Sequence, residues 1–285
     1  MPKSPYWTKE EDEILISLTK NGSSSKQCSV ILNRGSYGCN ERLRLLDLGI
    51  TDRKLSITRK YELNEEFFDN IDTEEKAYIL GFLITDGYNN EKDYVISIKL
   101  QERDKEILEK IRKIIGSNRP LVYFKEKTNI KKDGGIIKGG PSWSLVISSK
   151  NISQKLALIG CYQCKSLTAR LPTIRSDLYN HLLRGIFDGD GSINITHSSQ
   201  YRFQIYGNKE FLEDIQKLLI NSVGVNKIKI YKHPTNNEYM LEYGGNNSSY
   251  KILSWIYNNS TIYLQRKYER FQNLRKKIEM KNEKC

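Results

Sequence analysis

Two aspartates, Asp86 and Asp190, end two similar apolar segments and are the side chains best suited to chemistry. Residues 77–87 have the sequence AYILGFLITDG, and residues 181–191 have the sequence HLLRGIFDGDG. A segment that is apolar nearly all round is typical of a buried helix. A carboxylate in the last turn of a helix is disfavoured by the helix dipole, and two such carboxylates brought together repel each other. A divalent cation removes this conflict, so the pattern predicts a metal site.

Each segment also contains an internal glycine, Gly81 or Gly185. Glycine inside a helix costs about 1 kcal/mol relative to alanine, and close approach of two backbones is a physical reason to accept that cost. We therefore expect the two helices to pack glycine to glycine, with their aspartates side by side. Gly87 and Gly191 follow the aspartates, and we expect them to end the helices in the left-handed conformation.

The two segments belong to an internal repeat with an offset of 104 residues. At this offset Lys105-Glu106-Ile107-Leu108 aligns with Lys209-Glu210-Phe211-Leu212, in a register that needs no gap. The chain is therefore expected to contain one unit twice. Each unit is predicted to form a helix, a strand pair, a second helix, a second strand pair and a closing helix.

Three segments of these units alternate apolar and polar residues with a period of two, which predicts strands with one buried and one solvated face. The apolar positions are Ile96, Ile98 and Leu100, then Tyr201, Phe203 and Ile205, then Ile228 and Ile230. The polar positions are mostly Lys, Arg, Gln, Ser and Tyr. They are compatible with a sheet that lies along a DNA groove and with an ordinary solvated face. The register of residues 238–243 stays ambiguous.

Composition limits the classes of protein. The chain has 46 Lys and Arg against 34 Asp and Glu, a formal net charge of +12. This charge suits a polyanionic partner, although many basic proteins bind no nucleic acid. No apolar run approaches the roughly 20 residues of a membrane span, and the first residues contain no apolar signal core. Five cysteines without a dense framework fit a reducing compartment. We expect an intracellular, non-secreted protein without a membrane partner.

Residues 1–50 are predicted to form three short helices, two of which begin with capping boxes at Thr8-x-x-Glu11 and Ser24-x-x-Gln27. Residues 7–12, WTKEED, resemble the start of Myb-like and homeodomain-like helix-turn-helix domains. The resemblance implies that the third helix enters a major groove. It would present Tyr37, Asn40 and Arg44. A three-helix module that docks on a protein is the alternative.

Residues 79–87 and 183–191 together resemble the LAGLIDADG homing endonuclease family in its single-chain, two-motif form. The resemblance extends over about residues 70–275. In the first motif Thr85 replaces the usual small residue, and Ile84 stands where many members carry an acid, a position filled by Asp188 in the second. The resemblance implies an α+β fold of tandem αββαββα repeats with pseudo-two-fold symmetry, which form a DNA-binding saddle. The N-terminal helices would add a small all-α domain.

The expected domain boundaries follow from the repeat and the flanking composition. They are 1–50 for the three-helix domain, 51–70 for a linker, 71–171 and 172–275 for the two repeats, and 276–285 for a basic tail.

The family resemblance also implies a chemistry, the metal-dependent hydrolysis of both DNA strands across the minor groove to leave short 3′ overhangs. Asp86 and Asp190 would bind Mg²⁺, with Mn²⁺ as a substitute and with carbonyls near Thr85 and Gly189 as further ligands. A basic residue beside each centre would stabilise transition-state charge. These residues would be Lys165 in the first half and Lys267, or alternatively Arg266, in the second. Gln101 would orient a water molecule.

The implied partner is a long, asymmetric double-stranded DNA site bound by a monomer, without an organic cofactor. The predicted DNA contacts in the repeats are Lys99, Gln101, Lys125, Lys127, Arg202, Gln204, Lys227, Lys229 and Tyr231. The alternative function is that of a catalytically weak or inactive nucleic-acid-binding protein with the same fold, such as an RNA maturase or a transcription regulator.

Overall fold

The computed structural model describes residues 7–46, 61–130, 136–162, 168–233 and 238–282. The chain divides into two compact units, Met1–Tyr61 and Glu62–Cys285. Within the described ranges, every helix is too short or too polar to cross a membrane.

The first unit consists of three helices around a small apolar core. The helices are α1 (Lys9–Lys20), α2 (Ser25–Ile31) and α3 (Ser36–Leu45). Their core contains Leu15, Cys28, Leu32, Cys39 and Leu43. Both capping boxes form as predicted, with Thr8 and Ser24 as the N-cap residues. Two ion pairs hold α1 to the rest of the unit, because Arg34 in the turn before α3 donates to Glu11 and Arg42 of α3 donates to Asp12, each at 2.6 Å.

The second unit contains the predicted structural pattern twice. The first copy comprises α4 (Glu74–Thr85), β1 (Gly87–Asn90), β2 (Val95–Gln101), α5 (Lys105–Ile114), β3 (Val122–Phe124), β4 (Lys127–Ile130), β5 (Ile136–Gly139), β6 (Ser142–Ser148) and α6 (Lys150–Leu158). The second comprises α7 (Tyr179–Asp190), β7 (Gly191–Ile195), β8 (Tyr201–Gly207), α8 (Lys209–Val223), β9 (Tyr231–Lys232), β10 (Tyr239–Gly244) and α9 (Asn246–Ile256). Helix α10 (Gln265–Asn282) follows.

Two four-stranded antiparallel sheets have matching topologies, with strand orders β1-β2-β6-β3 and β7-β8-β10-β9. The hairpin β4–β5 is an addition to the first copy. Alternation predicted the buried faces correctly, since Ile96 and Ile98 of β2 and Phe203 and Ile205 of β8 are all buried. The fold class expected from the sequence, an α+β protein with two such sheets, is confirmed.

The strand expected around residues 227–231 is mostly absent, because only Tyr231 and Lys232 pair with β10. The Gln216 side chain of α8 donates to the carbonyl of Ile228 at 2.8 Å. A helix side chain therefore satisfies this backbone group, where a strand would need a neighbouring strand.

The sequence analysis expects the two copies to align at a constant offset of 104 residues, and this alignment is wrong within the hairpins. Gly87 lies opposite Ile98, whereas Gly191 lies opposite Ile205, so the second hairpin is longer. A 3-10 turn at Glu102–Asp104 in the first copy restores the spacing before α5. The repeat is thus in register at its helices but not through the strands between them.

The predicted linker, 51–70, is too long. Phe67 and Phe68 are buried in the core of the second unit, and the amide of Asn64 donates to the carbonyl of Ile115 at 3.1 Å. Burial of two aromatic rings outweighs the polar composition that suggested a linker. Residues 51–60 lie outside the described residues. At the other end, α10 continues unbroken through residue 276, where the basic tail was expected to begin.

Helices α4 and α7, hereafter the first and second motif helices, pack against each other at their glycines. A Cβ atom on Gly81 would lie 2.1 Å from the carbonyl oxygen of Leu182. A Cβ atom on Gly185 would lie 2.0 Å from the carbonyl oxygen of Tyr78. Both distances are far shorter than a carbon–oxygen contact allows, so the backbones meet where only glycine fits.

The conformation expected for Gly87 and Gly191 is wrong. Neither has a positive φ, and Gly191 is extended, with φ −98° and ψ 165°. Each begins a strand that folds back over the preceding helix, and a Cβ atom there would lie 2.5 Å from the carbonyl oxygen of Leu83 or 2.6 Å from that of Phe187. Glycine is required here because space is lacking.

We predict that Gly81→Ala and Gly185→Ala each lower the free energy of unfolding by about 1–3 kcal/mol, because an added methyl group meets rigid backbone. The measurement is chemical denaturation of the full chain. Gly140→Ala is the control, because a Cβ atom there meets nothing within 4 Å, and it should change stability by less than about 1 kcal/mol. Equal stabilities of all three variants would contradict the helix contact.

Candidate functional site

Asp86 and Asp190 lie at the C-terminal ends of the two motif helices, and both side chains are exposed. Asp86 is the C-cap residue of the first motif helix, and Asp190 is the last residue of the second. The helix ends touch one residue earlier, because a Cβ atom on Gly189 would lie 1.9 Å from Oγ1 of Thr85. The glycine contacts thus bring the two aspartates to one place on the surface.

A pocket of about 330 Å³ opens beside the second aspartate and is shared by both motif helices. Its lining residues are Ile84, Thr85, Ala169, Asp190, Tyr206, Gly207, Asn208, Phe211 and Glu238. Because Thr85 and Asp190 line the same pocket, this space joins the two helix ends.

Lys267 is buried against the end of the second motif helix, with only 4% of its surface exposed. Its Nζ atom donates to the carbonyl oxygens of Phe187 at 2.6 Å, Asp188 at 2.8 Å and Gly191 at 2.6 Å. These carbonyls are at the C-terminal end of a helix, where a cation is favoured.

Burial lowers the pKa of Lys267 to about 8, and three carboxylates oppose this shift, those of Asp188, Asp86 and Asp190. Carbonyl acceptors favour the protonated amine as well. Both candidate metal-binding aspartates lie within the electrostatic reach of Lys267.

Asp188, the acid of the second motif that the first motif lacks, is buried. Its Oδ2 atom accepts hydrogen bonds from the Tyr78 hydroxyl at 2.8 Å and from the Leu264 amide at 2.7 Å. Its Oδ1 atom is buried without a hydrogen bond in the described part of the chain. Burial raises the pKa of Asp188 to about 6, and Lys267 is the largest opposing influence. Asp188 thus provides a counter-charge inside the protein.

Arg184 is fully buried in the second motif helix. Its guanidinium donates to the carbonyls of Ile262 at 2.9 Å and Ile256 at 2.7 Å, and to Glu74 Oε1 at 2.6 Å. Glu74 also accepts from the Thr261 amide at 2.6 Å. Because Glu74 belongs to the first motif helix, this network ties both motif helices to the segment that leads to Lys267.

The two alternatives for the basic residue of the second centre are in different places. Nε of Arg266 lies 3.0 Å from Asp104 Oδ1 in the first copy, whereas Lys267 contacts the second motif helix. Lys165, the expected counterpart in the first centre, lies outside the described residues. Gln101 is exposed at the end of β2.

Most of the predicted DNA contacts are exposed. These are Lys99, Gln101, Lys125, Arg202, Lys227, Lys229, Tyr231 and Tyr37. Gln204 differs, because it is 7% exposed and its side chain accepts from Ser192 Oγ at 3.0 Å and donates to Glu242. Asn40 is half-buried and bonded to Ser25. The side chains of Arg44 and Lys127 lie outside the described residues.

Three further residues of this region, Tyr78, Glu74 and Arg184, were not identified from the sequence. A signal was present for Arg184, because a charged residue in a segment predicted to be fully buried requires a partner. The sequence does not indicate which residue that partner is, since Glu74 is far away along the chain.

At the ends of the two motif helices, the described side chains that suit a metal ion are the carboxylates of Asp86 and Asp190. Within the described ranges, no three His, Cys, Asp or Glu side chains converge into a metal site. Mg²⁺ is commonly held by one or two carboxylates, with waters and substrate phosphates completing its coordination. The exposed carboxylates of Asp86 and Asp190 fit such an ion, which the substrate would help to bind.

Residues 177–273 match the profile of the LAGLIDADG-like domain family. The homing endonuclease I-WcaI bound to its DNA recognition sequence is 12% identical, with a TM-score of 0.50 over 80% of this chain and 96% of that chain. The homing endonuclease I-GzeII in complex with its DNA target is 14% identical, with a TM-score of 0.47 over 78% of this chain and 92% of that chain. No curated protein sequence matches the chain. The likeness to I-WcaI shows a shared fold.

We predict that Arg184→Met lowers the free energy of unfolding by about 3–5 kcal/mol, because it leaves Glu74 as an unpaired, largely buried charge. Glu74→Gln combined with Arg184→Met should cost less than the sum of the two single changes. The double-mutant cycle is measured by chemical denaturation. Arg175→Met breaks an exposed pair with Asp177 and should cost less than about 1 kcal/mol. A similarly small effect of Arg184→Met would disprove the role of the network.

Proposed function

We propose that the chain is a site-specific endonuclease that uses divalent metal ions at Asp86 and Asp190 to hydrolyse both strands of a DNA duplex. The observation that carries the proposal is the meeting of two helix ends, each with an exposed aspartate, at a contact that only glycine permits. The fold shared with a homing endonuclease described as bound to DNA supports it. The formal net charge of +12 suits a DNA partner.

The protein's part in this reaction is to fix two carboxylates at one place on its surface. A bound metal ion, Mg²⁺ or Mn²⁺, would polarise the scissile phosphate and make a water molecule a better nucleophile. Asp86 and Asp190 would hold the ions, with carbonyls near Thr85 and Gly189. Because each aspartate ends a different motif helix, we assign each to the cleavage of one strand. The two cuts would lie across the minor groove and leave short 3′ overhangs.

The sheets would hold the duplex on their outer faces. In β2 the outer face carries Lys99 and Gln101, and in β8 it carries Arg202, whereas Gln204 is buried there. Because the side chains of the two copies differ, the two halves of the target would differ in sequence as well. One chain supplies both halves, so we propose that a monomer binds a long, asymmetric site.

The competing function is that of a catalytically weak or inactive nucleic-acid-binding protein, such as an RNA maturase or a transcription regulator. Two exposed carboxylates beside a phosphate backbone weaken binding by repulsion unless a cation lies between them. A protein that only binds nucleic acid therefore gains nothing from Asp86 and Asp190, whereas a metal-dependent nuclease needs both.

We predict that Asp86→Asn and Asp190→Asn each reduce double-strand cleavage by at least about 10³-fold, the scale of losing metal-based stabilisation. DNA binding should remain, because the change removes a negative charge. The substrate is a duplex recovered by its cleavage from a randomised library incubated with the wild-type chain and Mg²⁺. Wild-type protein in EDTA is the control. Full cleavage by either variant, or by the wild type in EDTA, would refute the proposal.

The three-helix unit is proposed as a second DNA-binding surface. Tyr37 is 76% exposed on α3, but Arg34 and Arg42 are engaged by Glu11 and Asp12. Other basic residues must therefore supply much of its attraction to phosphates, and residues 51–60, TDRKLSITRK, contain four of them. A tethered second binding surface raises avidity by about 10²–10⁴ if the connection spans the distance.

We predict that deletion of residues 1–60 weakens DNA binding, shortens the footprint on one side and leaves the single-turnover cleavage rate at saturation unchanged. The dependence of log affinity on log salt should flatten by about 0.9 for each phosphate that the shortened chain no longer neutralises. Affinities at several salt concentrations, with footprints, measure both effects. An unchanged footprint and an unchanged salt slope would identify the unit as a protein-docking module instead.

A further inference from the structure

The outer face of the second sheet carries a cluster of polar side chains that are bonded to one another. At its centre Gln204 of β8 is 7% exposed. Its Oε1 atom accepts from the hydroxyl of Ser192 at 3.0 Å and from the amide of Asn194. Its Nε2 atom donates to Glu242 Oε2 and, at 3.6 Å, to the sulfur of Met240. An amide has two donors and an oxygen with two lone pairs, so Gln204 has none left for a DNA base.

Glu242 of β10 connects Gln204 to Arg202 of β8. Its Oε2 atom accepts from Gln204, and its Oε1 atom lies 3.2 Å from Nη1 of Arg202. The Glu242 side chain is 21% exposed and that of Arg202 is 45% exposed. An arginine has five N–H donors in a planar fork. A guanidinium held at one nitrogen therefore keeps donors for a partner on the open side of the sheet.

The acid in this cluster needs a physical explanation, because a carboxylate on a face that holds DNA repels the phosphates. Stability is a weak explanation, since a partly exposed ion pair contributes little to it. Orientation is a stronger one. A long side chain that is already held in its bound direction loses less conformational entropy on binding, and the paired fork of Glu242 and Arg202 fixes that direction.

The strand registers identify the equivalent positions in the first sheet. Ile98, which lies opposite Gly87, corresponds to Ile205, which lies opposite Gly191. Three outer-face positions then differ between the sheets, with Val95 in the place of Arg202, Ser97 in that of Gln204 and Val146 in that of Glu242. The ion pair of the second sheet is thus replaced by two valines in the first, which have no hydrogen-bond donor in their side chains.

We propose that Arg202 is a specificity-determining residue that reads a guanine of the DNA target in a major groove, and that Glu242 is the positioning residue that orients it. Guanine presents two acceptors there, O6 and N7, and both accept from one guanidinium fork. The major groove admits antiparallel strands. The proposal rests on the proposed function, which places the duplex on the outer face of the sheet. The first sheet makes no such contact at the equivalent position.

The test measures binding, so that it does not depend on cleavage. Duplexes are selected by affinity from a randomised library with the full wild-type chain and Ca²⁺ as the divalent ion. Affinities are then measured for the selected duplex and for each of its single base-pair changes. We expect one guanine whose replacement weakens binding about 10- to 100-fold, the discrimination of a good bidentate contact, and whose preference depends on Arg202.

Arg202→Lys is the sharpest variant, because lysine keeps the charge but lacks the planar fork. It should lose the preference for this guanine, while its affinity for the other three base pairs stays within about threefold of the wild type. Arg202→Ala should lose the same preference and no other. Glu242→Gln should weaken the preference without a general loss of affinity, because it removes a negative charge beside phosphates. Added to Arg202→Ala, it should change the preference no further.

Lys251→Ala is the matched control, because it removes an exposed positive charge of the same repeat from a helix, α9, instead of the sheet. It should leave the base preference at every position unchanged. Chemical denaturation of each variant shows that it is folded before its affinities are compared.

Two results would overturn the guanine contact. They are a guanine preference that Arg202→Lys retains, and an equal loss of affinity for all four base pairs in Arg202→Ala, which would indicate a phosphate contact. An unchanged preference in Glu242→Gln would overturn the orienting role of Glu242. A chain that shows the Arg202-dependent preference in Ca²⁺ but cuts no duplex in Mg²⁺ would instead reject the proposed nuclease and leave the contact standing.

Discussion

Backbone contact between two buried helices, at Gly81 and Gly185, is the constraint on which the second unit depends. With a side chain at either glycine, each helix would have to move away from the carbonyl it touches, Leu182 or Tyr78. Any such movement also separates the helix ends, which meet at Thr85 and Gly189 one residue before the aspartates. The cost of two helical glycines, about 1 kcal/mol each, is small beside the burial of two apolar helices that the contact permits.

The two halves differ in sequence near the ends of the motif helices, because Ile84 of the first stands in the position of Asp188 of the second. In the second half, Lys267, Asp188 and Arg184 are buried side chains with charges of both signs, and Glu74 forms an ion pair with Arg184. Removing one partner of a buried ion pair is costly, because an unpaired buried charge remains. In the first half, the thiol of Cys161 donates to the carbonyl of Leu83.

The sequence predicted those parts of the molecule that follow from local pattern and repetition. Period-two alternation gave the buried faces of β2 and β8, and the recurrent Asp-Gly ending marked the two motif helices. What it could not predict depends on contacts between distant segments. Nothing local in the sequence indicates that Lys267 lies on Phe187. Glycine after a helix is usually explained by backbone conformation, so its steric role at Gly191 does not follow from the sequence. The polar residues around Phe67 and Phe68 predict a linker, because the core that receives these two rings is formed by residues much later in the chain.

One glycine contact is proposed to place two metal-binding aspartates where a single duplex can reach both. Anomalous X-ray scattering from Mn²⁺ in crystals of the chain bound to its target duplex tests this placement most directly. We expect anomalous density at the carboxylates of Asp86 and Asp190, next to phosphates of different strands. Bound duplex with manganese density at neither aspartate would contradict it.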